Sequence, residues 1–214
     1  SGWLNTNEHI KYLNGYPDGT FGPERNMTRA EAAQMFYNLL EDKEIITTKQ
    51  FVDVDAAAWY SQAVNVLASL KIITGINSDQ FAPNADITRA EFVAIAMRFS
   101  HMNTGGENIF SDITKDAWYY DYVIGAVEYG WITGYSDGTF KPEQNITRSE
   151  VAVIVNRMLA RNADHDFIDV YPHQLERFAD IDILHWAYYD IVEASNSHDY
   201  KKDTEREIWL EIIK

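Results

Sequence analysis

The feature that most constrains this chain is an internal repeat with a period of about 60 residues. The tetrapeptide Thr-Arg-(Ala/Ser)-Glu occurs three times, and its arginines, Arg29, Arg89 and Arg148, stand 60 and 59 positions apart. Before each Thr, a Gly, a Phe and a Pro recur at fixed offsets. The glycines are Gly15, Gly75 and Gly134. Agreement at so many offsets excludes chance, so the fold must be built from repeated units.

A second repeated block, Phe-x-Asp followed by Trp, is out of phase with the first. Its members are Asp53, Asp112 and Asp180, with Trp59, Trp118 and Trp186. The first Thr-Arg unit has no complete block before it, and the last block has no Thr-Arg unit after it. We therefore expect a single domain over 1–214, in which a C-terminal half-repeat, 178–200, packs beside the N-terminal half-repeat and closes a pseudo-threefold body.

The repeat spacing also predicts the boundaries of the units, at approximately 9–50, 51–109 and 110–160. The tryptophans are 59 and then 68 positions apart, so about nine residues are inserted before the last block. We expect the inserted stretch, 161–177, to form a surface loop or a short helix because it is polar and acidic.

Each Thr-Arg tetrapeptide predicts the start of a helix. Thr followed three positions later by Glu forms a capping box, in which both side chains bind backbone N–H groups at the helix start. The pairs are Thr28 and Glu31, Thr88 and Glu91, and Thr147 and Glu150. Apolar residues follow at helical spacing, and a second helix is expected after each Trp. The predicted fold is mainly α, with helix-loop-helix units around a central helical bundle and short extended segments in the loops.

The loop before each Thr-Arg helix differs among the copies. Copies one and three read Gly-Tyr-x-Asp-Gly-Thr-Phe, in which Asp-Gly is typical of a tight turn. The middle copy, from Gly75 to Phe81, has lost the Tyr and the Asp-Gly turn. We expect the middle copy to have an altered groove, so that Arg89→Ala would affect ligand binding least.

Composition excludes several partners. The 33 acidic and 18 basic residues give a formal charge of -15, which disfavours nucleic acid, and no apolar run is long enough for membrane insertion. The chain has no cysteine, and its six histidines form no i, i+4 pair, so no metal site and no cofactor are predicted.

The repeated motifs resemble those of the S-layer homology family over about residues 9–198. The resemblance implies a three-pronged domain with grooves between units that hold a cell-wall polysaccharide bearing pyruvate ketals. The family's ligand-binding Arg corresponds to Arg29, Arg89 and Arg148, and its groove Trp to Trp59, Trp118 and Trp186. The candidate ligand-binding set also includes the three repeated aspartates, Asp53, Asp112 and Asp180, and the three repeated glycines.

The function that the resemblance implies is non-covalent anchoring of a larger exported protein to the cell wall of a Gram-positive type of bacterium. Ser1-Gly2 is typical of a cloning scar, and we expect a signal peptide and a cargo in a longer natural protein. The isolated domain is expected to be extracellular and monomeric.

The chemistry of the repeated residues suits an acidic sugar. A guanidinium can bind a carboxylate through two charge-assisted hydrogen bonds, and unpaired N–H groups at a helix start also favour an anion. An aromatic ring offers a flat surface to the apolar face of a sugar.

Structural interpretations remain open for the same residues. The arginines could instead pair with a loop carboxylate such as Asp18 or Asp137, the tryptophans could be core residues, and the aspartates of the second block could cap a helix or turn.

A glycan-processing enzyme is disfavoured because the prominent residues recur in every unit, whereas a catalytic site is one asymmetric group of residues. A protein-interaction or S-layer lattice module is the other alternative.

Overall fold

The computed structural model describes residues 3–101, 106–204 and 206–214, so the predicted scar at Ser1-Gly2 lies outside the described residues. The described chain is mostly helical with one two-stranded sheet, which confirms the prediction of a mainly α fold. Contacts divide it into two compact units. Unit 1 consists of Ser1–Asn5 and Asn26–Ile146, and unit 2 of Thr6–Arg25 and Thr147–Lys214.

Unit 1 contains two pairs of packed helices. The helices are α1 (Arg29–Asn38), α2 (Ser61–Ser69), α3 (Arg89–Arg98) and α4 (Tyr120–Glu128). Helix α1 packs against α2, and α3 packs against α4. The apolar positions predicted for α1 and α3 are buried, and the ring of Phe36 lies 5.3 Å from those of Phe92 and Phe99. The helical periodicity therefore identified the core faces.

A closed ring of backbone hydrogen bonds joins three separate segments of unit 1. The residue just before each Thr takes part: Met27 N–H donates to Ile146, Ile87 N–H to Met27, and Ile146 N–H to Ile87, at 2.9–3.1 Å. All three side chains are buried. Because each residue both donates and accepts, the ring holds these three segments of unit 1 together.

Unit 2 contains helices α5 (Arg148–Met158), α6 (His165–Val170) and α7 (Tyr188–Ser195), a 3₁₀ turn at Pro172–Gln174, and strands β1 (His198–Asp203) and β2 (Arg206–Ile212). Helix α5 packs against α7. Helix α6 lies in the inserted stretch and is capped by Asp164, whose carboxylate accepts the N–H of Phe167. At the end of α7, the Ala194 carbonyl accepts the N–H groups of Tyr12 and Leu13.

The antiparallel hairpin β1–β2 was not predicted from the sequence. Its register pairs Asp203 with Arg206 next to the turn and His198 with Ile212 at the open end, with an irregularity between Asp199 and Tyr200. Trp209 anchors the hairpin in a small core with Ile168 and other apolar residues of unit 2. The hairpin is thus held to unit 2 by tertiary packing.

A buried polar cluster lies beside this hairpin. His9 and His198, which are 189 positions apart, have ring nitrogens separated by 3.1 Å, and Glu193 and Glu207 lie next to them. Burial raises the pKa of Glu193 to about 7, against the opposing effect of His198 and Arg161. Burial also lowers the pKa of His9 to about 4. The buried surroundings therefore disfavour both a negative charge on Glu193 and a positive charge on His9.

Candidate functional site

The repeated aspartates hold the loops that precede the Thr-Arg helices. The carboxylate of Asp53 accepts the N–H groups of Phe81 and Ala82 at 2.8 and 2.7 Å. Asp112 binds Phe140 and Lys141 in the same way, and Asp180 binds Phe21 and Gly22. The expectation that these carboxylates cap a neighbouring helix or turn is therefore wrong. Their partners lie 28 to 159 positions away and belong to another block.

Backbone geometry explains why a carboxylate fits at this place. The residue between the repeated Phe and Pro has a positive φ in every copy: 67° at Gly22, 56° at Ala82 and 57° at Lys141. A left-handed residue turns two successive N–H groups toward the same point and forms a small anion-binding concavity. Two of the three positions carry a side chain, so the carboxylate contact compensates part of the conformational strain.

The three repeated arginines are buried and bind the same loops from the other side. Arg29, Arg89 and Arg148 are only 7%, 5% and 6% exposed. Each Nε donates to the carbonyl of the repeated Phe, at 2.8–2.9 Å, and each guanidinium lies over that ring at 4.5–4.8 Å. Part of each guanidinium is therefore engaged in holding a loop. The alternative partners, Asp18 and Asp137, accept hydrogen bonds from Thr20 and Thr139 within their own turns.

Each arginine meets the loop of a different copy from its own. Arg29, from the first copy, donates to the Thr74 and Phe81 carbonyls of the middle copy, whereas Arg89 lies 4.7 Å from the Tyr135 ring of the third copy. The expectation that linked the atypical middle loop to Arg89 is therefore wrong. Arg29 is the arginine beside that loop, because the Thr-Arg helix start packs on the next repeat along the chain.

The N–H groups at these helix starts already have partners. In α1, the N–H of Arg29 donates to Ala85, that of Ala30 to Pro83, and that of Glu31 to the Thr28 hydroxyl. Equivalent hydrogen bonds close the starts of α3 and α5, each of which has a complete capping box. The expectation that unpaired N–H groups favour an anion here is therefore wrong. An anion would have to bind through side chains.

The repeated tryptophans lie on the surface. Trp59, Trp118 and Trp186 are 62%, 58% and 63% exposed, which excludes the interpretation that they are core residues. In unit 1, Trp118 contacts Tyr119 and Tyr122 edge to face, which orients its ring without burying it. Three exposed indole rings at matched positions are available for contact with a ligand.

One groove in unit 1 brings together residues from all three copies. Its volume is about 360 Å³, and its lining includes Arg29, Gly75, Glu91, Arg98 and Trp118. Arg29 comes from copy one, the loop and helix α3 from copy two, and Trp118 from the Phe-x-Asp…Trp block of copy three. The groove thus contains three of the residues predicted from the sequence.

Local charge in this groove is positive although the protein is acidic. Arg29 Nη1 lies 3.2 Å from Glu91 Oε1, and Arg98 donates to the Ile72 carbonyl at 2.9 Å and to the Tyr122 hydroxyl at 3.3 Å. Burial lowers the pKa of Arg29 from its ordinary value, while Glu91 and Asp53 act in the opposite direction. Two guanidinium groups thus face one carboxylate in the lining, an arrangement that suits an anionic ligand.

Arg98 was missed in the sequence analysis. It stands nine positions after Arg89, and Arg157 stands nine positions after Arg148, but the first copy has Asn38 at that offset. A basic residue recurring in two of three helices was the available signal. Its proximity to Arg29 depends on how α3 packs in unit 1.

The repeated glycines allow close packing of the loops. A Cβ atom at Gly15 would lie 2.3 Å from the ring of Phe178, and one at Gly134 would lie 2.3 Å from the ring of Phe110. At Gly75 it would lie 2.4 Å from the Gln80 carbonyl oxygen. A larger residue would therefore displace the loop that each glycine starts, which is a structural reason for glycine at this offset.

Comparison with known protein families agrees with the repeat. The S-layer homology domain matches residues 11–33, 50–93 and 109–152, which together are just over half of the chain. The chain belongs to the S-layer homology family. The family match covers the Thr-Arg elements and the first two Phe-x-Asp…Trp blocks, and it includes Arg29, Gly75, Glu91 and Trp118 of the Arg29–Trp118 groove but not Arg98.

Relatives of this S-layer homology domain include proteins of the cell surface. Cell surface glycoprotein 1 of Acetivibrio thermocellus is 32% identical over 96% of the chain, and the cellulosome-anchoring protein of the same organism is 35% identical over 92%. The matches cover 9% and 45% of those two proteins, so the chain spans less than half the length of either.

An enzyme is also among the relatives. The amylopullulanase of Thermoanaerobacterium thermosulfurigenes is 31% identical over 71% of the chain, but the match covers only 8% of its length. The name of that enzyme therefore assigns no catalytic activity to the S-layer homology domain.

In the part of the chain that the structure describes, no helix has the length and apolar character needed to cross a membrane.

Proposed function

We propose that this S-layer homology domain anchors a longer, exported protein non-covalently to a bacterial cell wall, by binding an anionic polysaccharide whose sugars carry pyruvate ketals. The names of two relatives, a cell surface glycoprotein and a cellulosome-anchoring protein, support a role in surface attachment. The proposed location is extracellular, on a Gram-positive type of cell wall. The domain itself is proposed to have no catalytic activity.

The Arg29–Trp118 groove is the observation that carries this proposal. A ketal carboxylate would pair with the guanidinium groups of Arg98 and Arg29 through charge-assisted hydrogen bonds. The exposed face of Trp118 would cover the apolar side of the sugar ring. Glu91 would orient Arg29 and repel an anion placed on the wrong side of the groove.

We further propose a pseudo-threefold arrangement of the repeats in one domain, with 178–200 as the closing half-repeat. The ring of hydrogen bonds through Met27, Ile87 and Ile146 supports this arrangement, as do the three equivalent Asp–loop contacts. In this proposal Arg89 and Arg148, with Trp59 and Trp186, bind further sugars of the same polymer. Several weak sites on one polymer raise the overall affinity well above that of a single site.

The proposal predicts that Trp118→Ala weakens binding to purified cell walls by about tenfold, equivalent to roughly 1.4 kcal/mol. The indole is exposed, so its removal should leave the fold intact. Co-sedimentation of the domain with cell walls measures the effect. Trp3→Ala is the matched control, because Trp3 is also an exposed tryptophan of unit 1 but does not line the groove. Equal binding by both variants would exclude the groove as the binding site.

Mild acid treatment of the cell walls tests the chemistry of the ligand. This treatment removes ketal-linked pyruvate, so it should abolish the difference between wild type and Arg98→Gln. Unchanged binding of the wild type to treated walls would favour a neutral sugar or a protein lattice contact instead. Release of soluble sugar during incubation would indicate an enzyme.

A further inference from the structure

Four buried side chains in unit 2 converge at one point. They are His9 from the N-terminal segment of unit 2, Glu193 from α7, His198 from β1 and Glu207 from β2, which are 2%, 0%, 1% and 5% exposed. One nitrogen or oxygen from each residue can be chosen so that the four atoms all lie within 4.8 Å of one another. Four distant positions in the chain thus contribute to one cluster.

The shortest distances in the cluster are close to the spacing between ligand atoms around a tetrahedral metal ion. His9 Nδ1 lies 3.1 Å from His198 Nε2, 3.5 Å from Glu193 Oε1 and 3.4 Å from Glu207 Oε2, and His198 Nε2 lies 3.5 Å from Glu193 Oε2. Metal–ligand bonds of about 2.0–2.1 Å in tetrahedral geometry place neighbouring ligand atoms about 3.3–3.4 Å apart. With either oxygen of Glu193 as the ligand atom, the separations in the cluster, all within 4.8 Å, need only a small closure to reach those of a four-coordinate site.

Most of the carboxylate oxygens lack hydrogen-bond donors, although Glu207 Oε2 accepts the N–H of Asn162 at 3.2 Å. Among the described residues, both side-chain oxygens of Glu193 and one oxygen of Glu207 are buried without a hydrogen-bond partner. Burying a carboxylate without a donor is costly, and buried charges are normally paired or bound to a metal. A divalent cation between the four side chains would satisfy these oxygens.

The histidines are oriented as metal ligands are. His198 Nδ1 lies 2.9 Å from the carbonyl oxygen of Asn196, so Nδ1–H donates there and the lone pair of Nε2 faces the cluster. The ring of His198 stacks on Trp209 at 3.7 Å, and the ring of His9 stacks on Tyr200 at 3.8 Å. Hydrogen bonding and packing thus fix both rings.

Arg161 is a buried basic residue that acts electrostatically on His9, Glu193 and His198. It is 4% exposed, and its Nη atoms donate to the carbonyls of Ile10 and Glu8. One guanidinium can balance only one of the two carboxylates, and its terminal N–H groups are already directed to the backbone. The remaining negative charge favours a cation.

We propose that His9, Glu193, His198 and Glu207 bind one Zn²⁺ ion, which fastens the hairpin β1–β2 to α7 and to the N-terminal segment of unit 2. Two imidazoles with two carboxylates in tetrahedral spacing suit Zn²⁺, whereas Ca²⁺ and Mg²⁺ require oxygen ligands and more of them. A pocket of about 530 Å³ is lined in part by His9, His198 and Tyr200 and so lies next to the two histidines. In a chain without cysteine, the ion would serve the stapling role that disulfides have in other exported proteins.

To test the proposal, metals are removed from the whole chain with a chelator, and the binding of added Zn²⁺ is then measured. We expect about one Zn²⁺ per chain by elemental analysis after gel filtration. A Zn²⁺ concentration about a hundredfold above Kd should raise Tm by about 5–10 °C, and Mg²⁺ should have no such effect. The same chain loaded with Co²⁺ should show the visible absorption of a tetrahedral cobalt site.

Variants locate the site. His198→Gln and Glu193→Gln should each abolish the stabilisation by Zn²⁺, whereas His173→Gln, a change of an exposed histidine outside the cluster, should retain it. Retention of Zn²⁺ by the first two variants, or failure of the wild type to bind it, would overturn the proposal. If either variant fails to fold, the Co²⁺ spectrum of the wild type decides, because an octahedral spectrum or none is incompatible with this site.

Discussion

A single aspartate organises each loop of the repeat. Asp53 accepts two successive N–H groups, those of Phe81 and Ala82, and Ala82 has a left-handed conformation that is unfavourable for a residue with a side chain. Burial alone would raise the pKa of Asp53, but the two N–H groups and Arg29 outweigh it, so that its pKa lies below the ordinary value. The aspartate is therefore best understood as the residue that fixes the loop against the helix start.

At the residue scale we predict that Asp53→Asn lowers the free energy of unfolding by about 2 kcal/mol, because an amide has one acceptor oxygen for two N–H groups and its NH₂ would face one of them. This loss corresponds to a decrease in Tm of about 4–8 °C for a chain of this size. Thermal unfolding followed by circular dichroism measures it. The exposed Asp116→Asn should change Tm little, and an equal loss in both variants would refute the role assigned to the loop contact.

The loss of stability caused by Asp53→Asn should also depend on pH. Since the pKa of Asp53 is lowered on folding, its stabilisation is fully present above the unfolded carboxyl pKa of about 3.9 and is lost as the pH falls through the lowered folded value. The Tm difference between wild type and Asp53→Asn should therefore shrink below about pH 4. A constant difference across that range would indicate that the charge of Asp53 is unimportant.

Helices α1, α3 and α5 begin in the same way, with a capping box followed by an arginine that points into a neighbouring loop. The helix start is closed to solvent and to ligands, since its N–H groups bind the Thr hydroxyl and carbonyl groups in the loop of another copy. Recognition of an anion at this element thus depends on side chains such as Arg98 and Arg29.

At the scale of the element, Thr88→Ala should destabilise the domain by about 1 kcal/mol, because the N–H of Glu91 loses the Thr88 hydroxyl as its acceptor. Thr88→Ser keeps a hydroxyl at the same place and should restore most of this energy. Chemical denaturation at constant pH compares the two variants. If the serine variant is as unstable as the alanine variant, the Thr88 methyl group and not its hydroxyl stabilises this helix.

At the scale of the whole molecule, the formal charge of -15 opposes an anionic polymer at long range, while the groove attracts it locally. Raising the ionic strength from about 0.01 to about 0.15 M shortens the screening length from about 30 to about 8 Å. We predict that the association rate constant with immobilised wall polysaccharide increases over this range, because repulsion by the whole protein is screened first. Surface plasmon resonance measures this rate. A steady decrease would show that the local positive charge dominates the approach.

The sequence by itself determined the repeat, the helix starts, the buried helix faces and the family, because these depend on residues a few positions apart or on recurrence at a fixed period. It also drew attention to Arg29, Trp118 and Gly75, which the groove of unit 1 brings together. Periodicity does not specify which surface a side chain meets. Periodicity alone therefore assigned the atypical loop to Arg89, and it indicated neither the exposure of the tryptophans nor the partners of the aspartates.

Only the tertiary structure decided which groups meet. Asp53 contacts residues 28 and 29 positions away, and His9 contacts His198 across 189 positions. The absence of a local i, i+4 histidine pair led to the expectation of no metal site, whereas the metal ligands proposed above come from four separate segments, which leave no spacing signal in the chain. Packing of the hairpin, α7 and the N-terminal segment of unit 2 creates that cluster, because each element places one buried polar side chain at the same point.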